Sequence, residues 1–283
     1  MGASMSNTFD YSIQSLAYHP PAKSYNEQLN INFVTTIHGH RIATRVTSCM
    51  GRPYVPGASY TDTRKFVIFS HGNAEDIGTC QDWVTWFTTT FDCHVLSYDY
   101  VNYGCSSPGL TSESNMNAAA TAVFEYATNH LGVPVDRIFL VGKSLGTAAT
   151  TYLAAQEFAG DINGVILMSP LASGIRAVLP PVIASRKILA GFDSLFCPSI
   201  ENVSKIQSPV FIIHGYEDKV IDIVNARILA RHIPPEYLYP PLFLHAGHND
   251  IEDTHPITIK EYISAFTTHC ESKCKNALVE YED

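Results

Sequence analysis

The strongest constraint on this chain lies in five residues, Gly142-Lys143-Ser144-Leu145-Gly146, and in what flanks them. An apolar, β-branched run, Ile138-Phe139-Leu140-Val141, leads in, and small residues, Thr147-Ala148-Ala149-Thr150, lead out. A serine bracketed by glycines at a strand-to-helix junction occupies a turn too sharp for ordinary backbone. Only residues without a β-carbon let the two arms of such a turn close on each other. The turn holds the hydroxyl clear of the sheet edge, within reach of a substrate. A phosphate-binding loop is the rival reading of Gly142-Lys143-Ser144, but G-x-x-x-x-G-K-[ST] needs glycine where Arg137 stands. The pattern therefore predicts Ser144 as a nucleophile on a strand-turn-helix unit.

The same alternation organises the rest of the chain. Apolar or β-branched runs at 66–69, 93–98, 137–141, 164–168, 210–213 and 241–245 alternate with helical patterns near 81–90, 113–130, 145–158, 222–232 and 256–269. Nearly continuous apolar strands separated by helices indicate a parallel sheet covered on both faces. Ahead of them, 31–36 and 41–46 flank His38-Gly39, a hairpin signal, and read as antiparallel edge strands. The expected organisation is a loosely docked leader (1–30), one domain (31–270) and a C-terminal tail (271–283). Within that domain, 171–206 breaks the alternation. It carries Ile175, Leu179, Phe192 and Phe196 among its apolar residues, yet is interrupted by Pro180-Pro181 and Pro198. It reads either as a short cap over the carboxyl ends of the strands, where ligands collect, or as ordinary core helices; the apolar stripe alone does not choose.

A serine hydroxyl is a weak nucleophile unless a base, itself held by a third group, takes its proton; in this strand-helix architecture the chain order is serine, acid, histidine. Both partners follow Ser144 in that order. The run Val210-Phe211-Ile212-Ile213 ends in His214-Gly215-Tyr216-Glu217-Asp218, and the next strand ends in Ala246-Gly247-His248. Asp218 or Glu217 would orient the imidazole of His248, which would shuttle the proton. Two backbone N–H groups must face the developing oxyanion, one directly after the nucleophile and one on the loop after the third strand. Leu145 supplies the first. Ser70-His71-Gly72-Asn73-Ala74 supplies the second, at Asn73 or, failing that, Ala74. His71 and His214, each before a glycine at a strand end, read as structural, and Asp250 and Glu252 as the start of the last helix. His245 and His248 have the spacing of a metal pair, but no further ligand completes the set. The chemistry calls for no metal or organic cofactor.

Composition narrows the partners. Charged residues make up 16% of the chain, against about 25% in average globular proteins, which excludes a disordered tail or coiled coil. The formal charge of -9, with no basic run, argues against a nucleic-acid surface. The most apolar stretch, 164–184, contains Arg176 and three prolines and reads poorly as a membrane span. The seven cysteines are scattered without paired spacing, and no apolar core of a secretory signal opens the chain, so reduced thiols and a cytoplasmic location are expected. Met1-Gly2-Ala3-Ser4-Met5-Ser6 fits the myristoylation pattern, which makes Gly2 a candidate for peripheral membrane attachment.

The stretches FSHGNAEDIG (69–78), SYDYVNYGCSSPG (97–109), VGKSLGT (141–147), MSPLASGIRAVLP (168–180), SPVFIIHGYEDKVID (208–222) and AGHNDIE (246–252) together resemble the α/β-hydrolase superfamily, and within it abhydrolase-domain subfamily seventeen, a group of palmitoyl-protein thioesterases. The resemblance covers about residues 31–268. It implies an α/β-hydrolase fold, with a mostly parallel eight-stranded sheet, an antiparallel N-terminal hairpin, helices on both faces and a short cap. It also implies Ser144 as nucleophile, Asp218 rather than Glu217 as acid, and His248 as base. The implied activity is a serine hydrolase cleaving long-chain acyl thioesters or esters on S-acylated protein or lipid ester substrates, with Ile175, Leu179, Phe192 and Phe196 as acyl contacts. A carboxylesterase or lipase acting on small lipid esters, and a non-catalytic binding module on the same fold, are the competing readings. The chain departs from the family in having no cysteine before Cys49, where the family carries an acylated cluster, and in having Asn102 where glycine is usual.

Overall fold

Along each central strand, successive apolar side chains enter opposite layers, the period-two consequence of an extended backbone. Phe66, Ile68, Ile138, Leu140, Val165, Leu167, Val210 and Ile212 pack into one layer. Val67, Phe69, Phe139, Val141, Ile166, Met168, Phe211 and Ile213 pack into the other. These strands are β3 (Phe66–Ser70), β5 (Ile138–Lys143), β6 (Gly164–Met168) and β7 (Val210–Gly215) of a computed structural model that describes residues 17–48, 64–179, 181–184, 189 and 191–279. Gly2, Cys49, Pro180 and Ile188, with the first half of the leader, lie outside the described residues.

The sheet has eight strands in the order β1-β2-β4-β3-β5-β6-β7-β8. β1 (Asn32–Thr35) and β2 (Arg41–Thr47) form the expected hairpin, and β2 pairs antiparallel with β4 (His94–Tyr98). From β4 to β8 (Leu242–Leu244) every pairing is parallel. Only β1 is an edge. β2, read from sequence as an edge strand, is enclosed between β1 and β4, with Ile42 and Ala43 fully buried.

Helices cover both faces. On the first layer lie α2 (Glu113–Glu125), α3 (Gly146–Ala154) and, in sequence after the cap, α7 (Val224–His232). On the second lie α1 (Gln81–Phe91) and α9 (Pro256–Val279). The cap region holds α4 (Gly174–Val178), α5 (Pro181–Ala184) and α6 (Ser199–Val203), and α8 (Ile251–Thr254) precedes α9. Several boundaries differ from the sequence reading for local reasons. The helical pattern over 113–130 loses α geometry at Tyr126, where the backbone widens into a π turn through His130. The pattern over 222–232 begins at Val224, because the Asp222 carboxylate accepts the Val224 N–H at 2.9 Å. The last helix runs on to Val279, through most of the expected tail.

α9 is held by an aromatic cluster in which Phe266, fully buried, lies 5.4 Å from Phe211 and 5.2 Å from Tyr239 between ring centroids. Removing it opens a cavity that rigid strands on one side cannot fill. Phe266→Ala is expected to cost about 3–5 kcal/mol, and Ile257→Ala, at a position 72% exposed on the same helix, less than about 0.5 kcal/mol. Urea unfolding of the two variants checks this; equal losses would show that α9 is not packed as described.

Candidate active site

Parallel strands bring their following loops to one end of the sheet, and the sequence-predicted residues meet there. β5 ends in the serine turn. Ser144 has φ +51°, in the left-handed region that costs a side-chain-bearing residue about 1–2 kcal/mol. A β-carbon at Gly146 would lie 2.0 Å from the Ser70 carbonyl oxygen, so the start of α3 rests directly on the end of β3. A β-carbon at Gly142 would lie 2.8 Å from the Gly146 carbonyl oxygen. The two glycines are thus required by close backbone approach, as the motif implied. The Ser144 N–H donates to Met168 O at 2.9 Å, tying the turn to β6.

The Ser144 hydroxyl lies 2.9 Å from His248 Nε2, and His248 Nδ1 lies 2.6 Å from Asp218 Oδ2. A carboxylate only accepts, so Nδ1 carries the proton and Nε2 faces the hydroxyl as an acceptor. Asp218 is fixed from all sides: its Oδ1 accepts the Val220 and Ile221 N–H groups at 2.9 and 2.8 Å, and His214 Nε2 stands 3.3 Å from Oδ2. Burial alone would raise its carboxyl, but hydrogen bonds from His214, His248 and the backbone outweigh it and hold the group well below the usual carboxylate range. Glu217, the competing acid, is two-thirds exposed and faces His245 at 3.6 Å. His245 is itself exposed on the far side of that loop.

Sequence reasoning gave His214 only a structural part and did not foresee its target. Fully buried, it donates to Ile221 O at 2.8 Å and braces both Asp218 and the loop that supplies its amide donors. Glu252 also does more than start a helix. It accepts from Trp83 Nε1 at 2.7 Å and faces Lys143 Nζ at 3.8 Å, joining the helix after the His248 loop to α1 and to the strand before Ser144. Asp250 accepts the Gly247 N–H at 2.6 Å and closes the turn that carries His248.

The loop after β3 faces the same end. Gly72 N–H is engaged by Glu75 Oε2 at 2.6 Å, whereas the N–H groups of Asn73 and Leu145 have no acceptor among the described residues. Ala74 has φ +58°. Beneath the loop, buried His71 pairs with Asp99 at 3.2 Å and donates from Nδ1 to Gly72 O at 2.8 Å. Burial would lower the His71 imidazole, but Asp99 outweighs it and raises it. The departure at residue 102 has a simple account: Asn102 has φ +71°, a conformation that asparagine tolerates better than other residues bearing a β-carbon.

The cap starts beside the serine turn, where Leu171 N–H donates to Thr147 Oγ1 at 3.4 Å. Buried Arg176 clasps buried Asp193 through two bonds of 2.7 and 2.8 Å. The four residues expected to contact an acyl chain separate. Phe196 is sealed inside, its ring against the Gly174 backbone and edge-on to Tyr18 at 5.8 Å, so it belongs to the core. Ile175 packs partly on that core, Leu179 is half-buried, and Phe192 is 49% exposed.

This strand order, with a serine turn after β5 and acid and histidine loops after β7 and β8, defines an α/β hydrolase. Residues 61–202 match the family model described as serine aminopeptidase, S33. Solved structures of similar fold include an esterase of Pyrococcus furiosus (TM-score 0.65, 15% identity, 89% of this chain and 99% of that one) and a membrane phospholipase A (TM-score 0.60, 15% identity, 95% and 92%). Alpha/beta hydrolase domain-containing protein 17C of Homo sapiens is 36% identical over 80% of this chain and 62% of its own length. Protein 17B of Xenopus laevis is 37% identical over 77% and 68%. The chain belongs to the alpha/beta hydrolase domain-containing protein 17 family. It spans 59% to 64% of the length of the aho-3 protein of Caenorhabditis elegans and the 17C protein of Xenopus tropicalis.

The sign of the Asp218 shift gives a pH test. A carboxyl held below its ordinary value of about 3.9 contributes stability that is complete above that value and is lost as pH falls through the folded-state value. Asp218→Asn removes this contribution. The unfolding free-energy gap between wild type and variant is expected to be about 1–3 kcal/mol at pH 7, constant down to about pH 5, and to narrow below about pH 4. Urea titrations across that range check it; a gap unchanged between pH 6 and pH 3 would contradict the carboxylate's surroundings.

Proposed function

We propose that this protein is a serine hydrolase of long-chain acyl thioesters and esters, with an S-palmitoylated protein as its leading substrate class. The observation that carries the reading is the continuous hydrogen-bonded chain from the Ser144 hydroxyl through His248 to Asp218. In this reading Ser144 Oγ attacks the acyl carbonyl carbon while its proton passes to His248 Nε2, and Asp218 stabilises the imidazolium that results. The carbonyl oxygen becomes an oxyanion and accepts hydrogen bonds from the Asn73 and Leu145 N–H groups. The tetrahedral intermediate then breaks its C–S or C–O bond. The leaving thiol or alcohol takes the proton from His248, and the acyl group stays on Ser144. Water, deprotonated by His248, attacks the acyl-serine; the proton returns to Ser144, and the free fatty acid departs.

The acyl preference rests on the cap. Val178, Val182, Ile183, Phe192 and Leu195 leave apolar surface exposed there, and each methylene that a ligand buries gains about 0.8 kcal/mol. A thioester on a long chain suits such a surface, and the resemblance to palmitoyl-protein thioesterases points the same way. The esterase and phospholipase neighbours favour small lipid esters as the second reading. Among the described residues no helix is long and apolar enough to cross a membrane.

Labelling with a fluorophosphonate probe is expected to modify the wild type and to leave Ser144→Ala unmodified. Turnover should fall by about 10⁴–10⁶ in Ser144→Ala and by about 10³–10⁴ in Asp218→Asn. Equal labelling of wild type and Ser144→Ala would end the hydrolase reading. Faster turnover of glycerides than of an S-palmitoyl peptide would move the substrate to the small-lipid class.

A further inference from the structure

The leader was expected to dock loosely, but residues 17–25 are bound to the loop that carries Asn73. Asn73 Oδ1 accepts the His19 N–H at 2.9 Å and the Tyr103 hydroxyl at 2.7 Å, and its Nδ2 donates to Ala17 O at 2.7 Å. Both lone pairs of the side-chain carbonyl are thereby engaged. A second anchor follows at Ser24, whose N–H donates to Asp76 Oδ2 at 2.8 Å and whose hydroxyl donates to Asp76 Oδ1. Asp76 in turn accepts the Thr79 N–H at 2.9 Å and so closes the end of the same loop. A third is Tyr25, whose hydroxyl donates to Asp99 and accepts the Cys105 N–H at 3.1 Å. Asp99 also holds the Ile77 N–H at 2.9 Å. Tyr18, buried against Phe196, keys the segment to the core.

We propose that residues 17–25 form a strap that, together with Tyr103, grips the Asn73 side chain and so sets the position of the Asn73 backbone N–H as an oxyanion donor. This rests on the serine-hydrolase reading above and adds to it a positioning role for a segment far away in sequence. Three features point to positioning rather than simple packing. The loop contains Ala74 at φ +58°, a conformation that persists only where the surroundings enforce it. The Gly72 N–H is already committed to Glu75, so the next amide along must do the work. The strap's polar contacts reach Asn73 and Asp76 on that loop and Asp99, which in turn holds the loop's Ile77 N–H, so the strap restrains the loop at both of its ends. A donor whose place is fixed before substrate arrives costs no reorganisation when charge develops, and a displacement of about 1 Å can cost about 10²-fold in rate.

The decisive contacts can be removed singly. Tyr103→Phe deletes one donor to Oδ1. His19→Pro deletes the other, and Pro20 already biases residue 19 toward an extended backbone that proline can adopt. Each variant is expected to lower kcat on a soluble acyl thioester about tenfold, and to slow fluorophosphonate labelling by a similar factor, with KM changed less than twofold. In an Asn73→Ala background, which retains the backbone N–H but has nothing for the strap to grip, Tyr103→Phe should have no further effect on kcat. Phe266→Ala, in the layer on the other face of the sheet and outside the strap, serves as the comparison by lowering the unfolding midpoint.

Wild-type kcat in both Tyr103→Phe and His19→Pro would overturn the proposal. So would losses that multiply independently in the double variant, or losses of kcat that merely follow the unfolding midpoint along the line set by Phe266→Ala. Ser144→Ala separates this from failure of the underlying reading. If it remains unlabelled while the strap variants keep full rates, the strap proposal alone is wrong; if it labels like wild type, the hydrolase reading falls first.

Discussion

The start of α3 sits on the end of β3 with no room for a side chain between them, and the geometry of the site follows from that contact. Because Gly146 meets the Ser70 carbonyl oxygen directly, the chain leaving β5 must reverse within a few residues, which places Ser144 at φ +51°. The hydroxyl is then held at the carboxyl end of the sheet, and the Leu145 N–H opens the helix beside it. Parallel pairing does the rest. The loops after β3, β7 and β8 leave at the same end, so Asn73, Asp218 and His248 need no long excursions to meet the serine. A β-carbon at either glycine would push helix and strand apart and draw the Ser144 hydroxyl away from His248 Nε2, now 2.9 Å from it.

Carboxylates secure the loops that this arrangement leaves irregular. Asp218 binds two backbone amides and two imidazoles; Asp99 binds Ile77 N–H, the Tyr25 hydroxyl and His71; Glu75 holds Gly72 N–H; Asp250 holds Gly247 N–H. Loop amides have no ladder to join, and each left bare in a buried setting costs about 1–3 kcal/mol. A carboxylate can accept several at once, and its own desolvation is offset by the same bonds. The fully buried histidines His71 and His214 stand 3.2 and 3.3 Å from the carboxylates of Asp99 and Asp218 that serve the nearest loops. Removing Asp99 or Asp218 would therefore strand donors on more than one segment, whereas removing Glu75 or Asp250 would free a single loop amide.

This explains which features were legible in the sequence. The parallel sheet, the serine turn and the order of serine, acid and histidine loops rest on local patterns: strands apolar on both faces, glycines at forced positions, a polar residue just after an apolar run. The choice of Asp218 over Glu217 came from resemblance, since adjacent carboxylates have the same local pattern, and the fold separates them by turning Glu217 out toward His245. The pinned leader and the enclosure of β2 depend on contacts between distant segments, and the brace from His214, though local, depends on how the turn after β7 folds Asp218 and Ile221 back onto it. Ala17 reaches Asn73 across 56 residues and Tyr25 reaches Asp99 across 74, and neither pair leaves a period or composition signal in either stretch. The Asp222 carboxylate that trims α7 was visible as a capping residue type, but only its bond to Val224 shows on which side of it the helix begins.

The cap presents the same division in one segment. Its apolar residues were too numerous for a solvated loop, and the two readings of that excess, cap or core, are both partly realised. Phe196, Cys197, Ile200 and Val203 are buried and continue the core beneath α3. The Arg176–Asp193 clasp pins the stretch before them, whose Leu171 and Ala172 also join the core. Val178, Val182, Ile183, Phe192 and Leu195 remain exposed. Among the described residues of the segment, the inner apolar ones pack on the sheet and the outer ones leave open surface. On the proposed reading, selectivity for acyl length then falls to the outer residues. An exposed surface discriminates by the number of methylenes it covers, at about 0.8 kcal/mol each, rather than by the sharp cutoff of a closed end.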